Sequence, residues 1–147
     1  MKIRAMRESD IEQVMAIERS VFPMPWTEHI FREFIEINKA YVGYENEVVG
    51  YICLLVYIEK LLIANLAVKE AFQRKGMGTK LIRFALEKAR QDGLSELTLD
   101  VRQSNRVAIQ FYEKLGFIKI GRKPDYYEHP TEDSIVMSLN IADWSRE

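Results

Sequence analysis

The sequence predicts a single mixed α/β sheet with helices on its faces, and three observations carry that expectation. Apolar segments of strand length recur at residues 41–45, 48–57, 61–68, 97–101, 117–120 and 134–139. Between them lie stretches with helical spacing, clearest in Leu81, Ile82, Ala85, Leu86 and Ala89. The 147 residues, 48% hydrophobic and 29% charged, fit one compact domain spanning 1–147 that folds without disulfides or a structural metal.

In chain order, residues 3–6 read as a short first strand. Ser9 and Glu12 have capping-box spacing, with Ser9 as cap and Glu12 reaching back; Ile11, Val14, Met15 and Glu18 follow at helical spacing. Pro23 and Pro25 end that helix, because proline lacks an amide proton and biases its predecessor away from helix. Thr27 can cap a second helix whose apolar stripe is Ile30, Phe31, Phe34 and Ile35. Glu45, Asn46 and Glu47 join two strands as a hairpin. Residues 61–68 are apolar apart from Asn65, as in a strand buried on both faces. A polar loop at 69–75 enters Gly76, Met77 and Gly78 and then a helix, which Gly93 is placed to end in the left-handed conformation. A strand at 97–101, a helix at 105–115 ending on Gly116, and strands at 117–120 and 134–139 complete the chain. The polar and aromatic residues 124–132 are expected to form an ordered loop.

Charge and cysteine usage exclude several classes. With 21 Lys+Arg against 22 Asp+Glu the net charge is -1, unlike a generic nucleic-acid or acidic-membrane binder. Neither partner is expected, and any polyanion must be met locally. Cys53, the only cysteine, lies in an apolar run and reads as a buried, inert thiol. His29 and His129 lie far apart without a cysteine cluster, so no metal site is expected. The start lacks a signal-peptide core, and no apolar run approaches the roughly 18 residues that span a bilayer. A cytoplasmic enzyme or binding domain is the expectation.

The loop Gln73-Arg74-Lys75-Gly76-Met77-Gly78-Thr79 lies between a buried strand and a helix, where unpaired amides and the positive helix end favour an anion. The Walker phosphate pattern fails, since Gly78 is followed by Thr79 and then Lys80. The dinucleotide fingerprint fails too, with Leu81 where a third glycine belongs.

The full string, Asn65-Leu66-Ala67-Val68 and then Gln73-Arg74-x-Gly76-x-Gly78 and a helix, resembles the acetyl-CoA signature of the GNAT N-acetyltransferases. The resemblance covers most of the chain. It implies the GNAT fold: one mostly antiparallel mixed sheet, splayed between the strands 61–68 and 97–101. Three segments resemble the branch of that family that acetylates the amino-terminal alanine of a small-subunit ribosomal protein. These are Phe22-Pro23-Met24-Pro25-Trp26, Val101-Arg102-Gln103-Ser104-Asn105 leading to Tyr112, and Tyr126-Tyr127 followed by Glu132-Asp133.

The resemblance implies acetyl-CoA as donor, no metal, and a protein or peptide amino terminus as acceptor, with a ribosomal protein among the candidates. Arg74, Lys75, Gly76, Met77, Gly78 and Thr79 would surround the pyrophosphate, while Leu66, Ala67 and Val68 present backbone groups to pantetheine and the acetyl carbonyl. Asn105 matches a CoA-contacting asparagine, though capping the next helix is an equally physical role. Asp100 stands where the family has a glutamate and is the candidate base, its shorter side chain pointing to a bridging water. Glu18, Glu28 and Glu132 are the alternatives. Tyr112 is the candidate acid for the leaving thiolate; its helical spacing with Ala108, Phe111 and Leu115 also suits a core aromatic. Trp26, Tyr126 and Tyr127 are acceptor-site candidates that could equally be packing residues. Two other readings remain: a GNAT enzyme for lysine or a small amine, and a non-catalytic CoA-binding module.

Overall fold

Seven strands and four α-helices follow one another along residues 1–144, the part of the chain that the computed structural model describes. The order is β1 (Lys2–Ala5), α1 (Ile11–Val21), α2 (Glu28–Glu36), β2 (Ala40–Tyr44), β3 (Val48–Tyr57), β4 (Lys60–Val68), α3 (Met77–Gln91), β5 (Glu96–Arg102), α4 (Arg106–Lys114), β6 (Ile118–Tyr127) and β7 (Glu132–Asn140). The strands form one sheet in the order β1-β2-β3-β4-β5-β7-β6. Pairs β1–β2, β2–β3, β5–β7 and β6–β7 are antiparallel, and β4–β5 is parallel. The parallel register runs from Lys60↔Glu96 to Ile63↔Leu99. β4 itself continues to Val68 and β5 to Arg102.

The chain divides into two compact units. The first comprises Met1–Leu55 and Ala64–Ala85, the second Val56–Ile63 and the chain from Leu86 onward. Val14, Phe31, Val42, Tyr51 and Cys53 are fully buried in the first, and the Phe31 ring meets Tyr51 edge-on at 5.5 Å. Leu97, Leu99, Phe117 and Met137 form the buried centre of the second. Full burial of such a side chain contributes roughly 1.5–3 kcal/mol relative to exposure.

Three expectations change. Ser9 does not cap α1: the Asp10 carboxylate accepts from the Arg7 amide at 2.7 Å and from both Arg4 guanidinium nitrogens at 2.8 and 2.9 Å. Burial alone would raise the Asp10 carboxyl, but Arg4 and the Arg7 amide outweigh it and hold it below the usual range. Residues 124–132 are not a loop. β6 runs through Pro124 to Tyr127, pairs Tyr127 with Glu132, and leaves only a turn at 128–131. Pro124 is tolerated because β6 is an edge strand, where a missing amide proton breaks no ladder. Finally, β4 is not equally buried on both faces: Leu61, Ile63, Asn65 and Ala67 are buried, and the residues between them half-buried. Among the described residues no helix is long and apolar enough to cross a membrane.

Candidate active site

The first unit carries the loop. The Gln73 side chain donates to the Val68 carbonyl at 2.9 Å, tying the loop back to the end of β4. The backbone then turns left-handed at Arg74 (φ 63°) and again at Gly76 (φ 83°). Lys80 makes the first helical bond to the Gly76 carbonyl at 3.1 Å. The amides of Met77, Gly78 and Thr79 therefore begin α3 without an acceptor in the preceding turn. A Cβ added at Gly76 would meet nothing within 4 Å. The demand for glycine there comes from the dihedral and from whatever approaches the amides, not from crowding within the protein. Exposed amides at a helix start beside Arg74 and Lys75 suit a diphosphate, so these residues fit the pyrophosphate of acetyl-CoA.

Ala67 is buried on β4. Its carbonyl would lie 2.8 Å from a Cβ at Gly50, so glycine on β3 permits the close approach beside Leu66 and Val68. Sequence reasoning missed Gly50, because a lone glycine in a strand gives no hint of what it faces.

The second unit gathers the proposed proton-transfer residues. The Asp100 side chain, 15% exposed, lies 3.2 Å from the Lys123 ammonium and accepts from the Ser134 hydroxyl at 2.7 Å. Lys123 also sits over the Tyr126 ring at 4.9 Å, and Arg102 over Tyr127 at 4.5 Å. The Tyr126 and Tyr127 rings meet edge-on at 5.0 Å. Burial pushes the Tyr127 phenol up to about 12, with the Asp100 charge adding to the shift. Tyr112 packs between Phe111 at 5.3 Å and Phe117 at 5.6 Å. Burial, with a smaller contribution from Tyr127, pushes its phenol up to about 12 as well. Asp100, Tyr126 and Tyr127 thus belong to one aromatic and charged network, while Tyr112 packs among the Phe111 and Phe117 rings. Asn105 caps α4, its Oδ1 accepting from the Ala108 amide at 3.1 Å.

Lys123 and Ser134 were missed, and no local signal marks them: they reach Asp100 from β6 and β7 by sheet register. Glu132 is engaged by Arg102 at 3.2 Å and by the Ser104 amide at 2.6 Å, and the Ser104 side chain first, then its amide and Arg102, hold its carboxyl below the usual range. Glu28 pairs with Arg32 on the surface. Trp26, back in the first unit, stacks on Phe34 at 5.3 Å and leans on Phe31 at 5.2 Å, so its ring is half-buried in an aromatic cluster.

Comparison with known proteins adds to this geometry. Residues 11–117 match the family described as Acetyltransferase (GNAT). The chain is similar to the ribosomal protein bS18-alanine N-acetyltransferase of Haemophilus ducreyi, 31% identical over 145 residues that cover 95% of this chain and 99% of that one. Among solved structures it resembles the ribosomal-protein-S18-alanine N-acetyltransferase of Escherichia coli, with a TM-score of 0.86 and 26% identity over 99% of this chain and 97% of the other. It also resembles Ard1 of Thermoplasma volcanium, with a TM-score of 0.88 and 28% identity over 95% and 96% of the two chains.

Proposed function

Because the chain belongs to the GNAT acetyltransferase family, which uses acetyl-CoA as donor, we propose that it acetylates the amino-terminal α-amine of a protein. The alanine terminus of a small-subunit ribosomal protein is the proposed acceptor. The observation that carries this reading is the similarity to the Haemophilus ducreyi bS18-alanine enzyme along nearly the whole of both chains. An acceptor of that kind also places the activity in the cytoplasm.

Acetyl-CoA supplies an acetyl group activated as a thioester. The acceptor must arrive unprotonated, and an α-amine with an ordinary pKa of about 7.7–8.0 needs far less help than a lysine near 10.4. We assign the base role to Asp100, acting through one water because its side chain is short and already engaged by Lys123 and Ser134. Backbone groups of Leu66, Ala67 and Val68 stabilise the charge that develops on the thioester oxygen. As the C–N bond forms and the C–S bond breaks, the Tyr112 hydroxyl gives its proton to the departing thiolate. Arg74, Lys75, Gly76, Met77, Gly78 and Thr79 hold the pyrophosphate, and Asn105 contacts CoA while capping α4. Tyr126 and Tyr127 face the acceptor chain, with Trp26 shaping the acceptor side through its packing on α2.

The test is incubation with acetyl-CoA and two forms of a ribosomal peptide. One begins with alanine; the other has a blocked terminus and an internal lysine. Mass spectrometry is expected to place the acetyl group on the α-amine of the first. Modification confined to lysine side chains would overturn the amino-terminal reading and leave the acetyltransferase in place.

A second expectation concerns the base. Asp100→Asn should lower kcat/KM most strongly below about pH 7.7, where the acceptor amine is mainly protonated. A pH profile superimposable on that of the unaltered enzyme would remove Asp100 from the mechanism and turn attention to Glu132.

A further inference from the structure

Glu18 lies near the end of α1 and is 1% exposed, yet among the described residues its carboxylate forms no salt bridge. Its oxygens are filled by three donors instead. Oε1 accepts from the Tyr51 hydroxyl at 2.5 Å and from the Asn65 amide at 2.8 Å, and Oε2 accepts from the Trp26 main-chain amide at 2.9 Å. The main-chain carbonyl of the same residue accepts from the Phe22 amide at 3.0 Å. Both ends of the turn 22–26 therefore close on one residue. Within that turn Pro23 and Pro25 have no amide proton, so of its three N–H groups two are bound by Glu18.

We propose that Glu18 is a positioning residue, which fixes the acceptor-side turn 22–26 in register with the acetyl-donor strand β4 through Trp26 on one side and Asn65 on the other. What the turn and the strand do rests on the acetyltransferase reading above. Burying a carboxylate without a cation is costly, and an apolar side chain would fill the space at lower cost. What the carboxylate alone supplies is acceptor capacity for three donors at once, since a glutamine would turn an N–H₂ toward one of them. Asn65 immediately precedes Leu66, whose backbone faces the acetyl group, so the same carboxylate ties that stretch of β4 to the turn and, through Tyr51, to β3. With every oxygen occupied and no exposed surface, Glu18 acts through these partners and does not touch substrate.

The experiment compares the full-length unaltered chain with Glu18→Gln by amide hydrogen exchange and by steady-state kinetics. Exchange at the Trp26 amide is expected to accelerate 10-fold or more, while the Phe22 amide, bound to the main-chain carbonyl that the substitution leaves in place, keeps its protection. General destabilisation would accelerate both. The KM for the alanine-initiated peptide should rise about 10-fold, the scale of one charge-assisted hydrogen bond, with the KM for acetyl-CoA within about twofold. Should Glu18→Gln fail to fold, Glu18→Asp keeps the charge but withdraws it from Trp26, and the same pair of amides is read. Unchanged exchange at Trp26, or equal rises in both KM values, would overturn the proposal. Exchange decides the anchoring whatever the acceptor, whereas failure of the unaltered enzyme to modify any α-amine would strike only the functional reading.

Discussion

Tyr112→Phe is expected to lower kcat by about 100-fold or more, the scale of lost general acid catalysis, while acetyl-CoA affinity stays within about twofold. The ring of Tyr112 already lies among the rings of Phe111 and Phe117. Phenylalanine keeps that packing and removes only the hydroxyl. The direction of the phenol's shift suits the role. Burial disfavours the phenolate and raises the group to about 12, so the proton is held throughout the neutral range and stays available for a thiolate as it leaves. Kinetics with saturating peptide, beside calorimetry with acetyl-CoA, separate the two quantities. A loss below about threefold would show that the departing sulfur takes its proton from elsewhere, solvent being the first alternative.

The second large effect is at the loop. Gly76→Val is expected to weaken acetyl-CoA binding by about 100-fold or more, through two causes that act in the same direction. At φ 83° a β-branched residue is strained, by roughly 1–2 kcal/mol or more, and the loop relieves that strain by leaving the conformation that aims its amides. The added methyls also stand where a phosphate would approach, forfeiting charge-assisted hydrogen bonds each contributing about 1.5–3 kcal/mol. Because a Cβ there meets nothing within 4 Å, the variant should fold. Calorimetry on a sample with native circular dichroism then reads the site rather than the stability. Unchanged affinity would place the acetyl donor elsewhere on the protein.

The features legible in sequence were those whose cause lies within a few residues. Thr27 caps α2 by accepting from Ile30, Asn105 caps α4, and Gly93 and Gly116 adopt positive φ at helix ends, all as spacing alone requires. The failures have non-local causes. Ser9 lies instead in the 3-10 turn Glu8–Asp10 that leads into α1, and the Asp10 carboxylate, held by Arg4 on β1 and by the Arg7 amide, makes no capping bond to that helix. The extension of β6 through Pro124 depends on its place at the edge of the sheet, which local pattern does not encode. The site divides in the same way. The glycine loop is contiguous, so its position ahead of α3 and the left-handed Gly76 were readable. The engagement of Asp100 by Lys123 and Ser134 depends on how three strands align, and Glu18 finds Tyr51 and Asn65 at sequence separations of 33 and 47.

Cys53 has a practical consequence for measuring all of this. It is the chain's only cysteine, it is 0% exposed, and burial drives its thiol far above the ordinary range, so the native protein presents no thiolate to a reagent. A thiol-reactive dye added to a running reaction therefore reports released coenzyme A with no background from the enzyme. Once the chain unfolds, one thiol per molecule appears. The same dye, with coenzyme A omitted, becomes a direct counter of unfolded protein in any of the variants above.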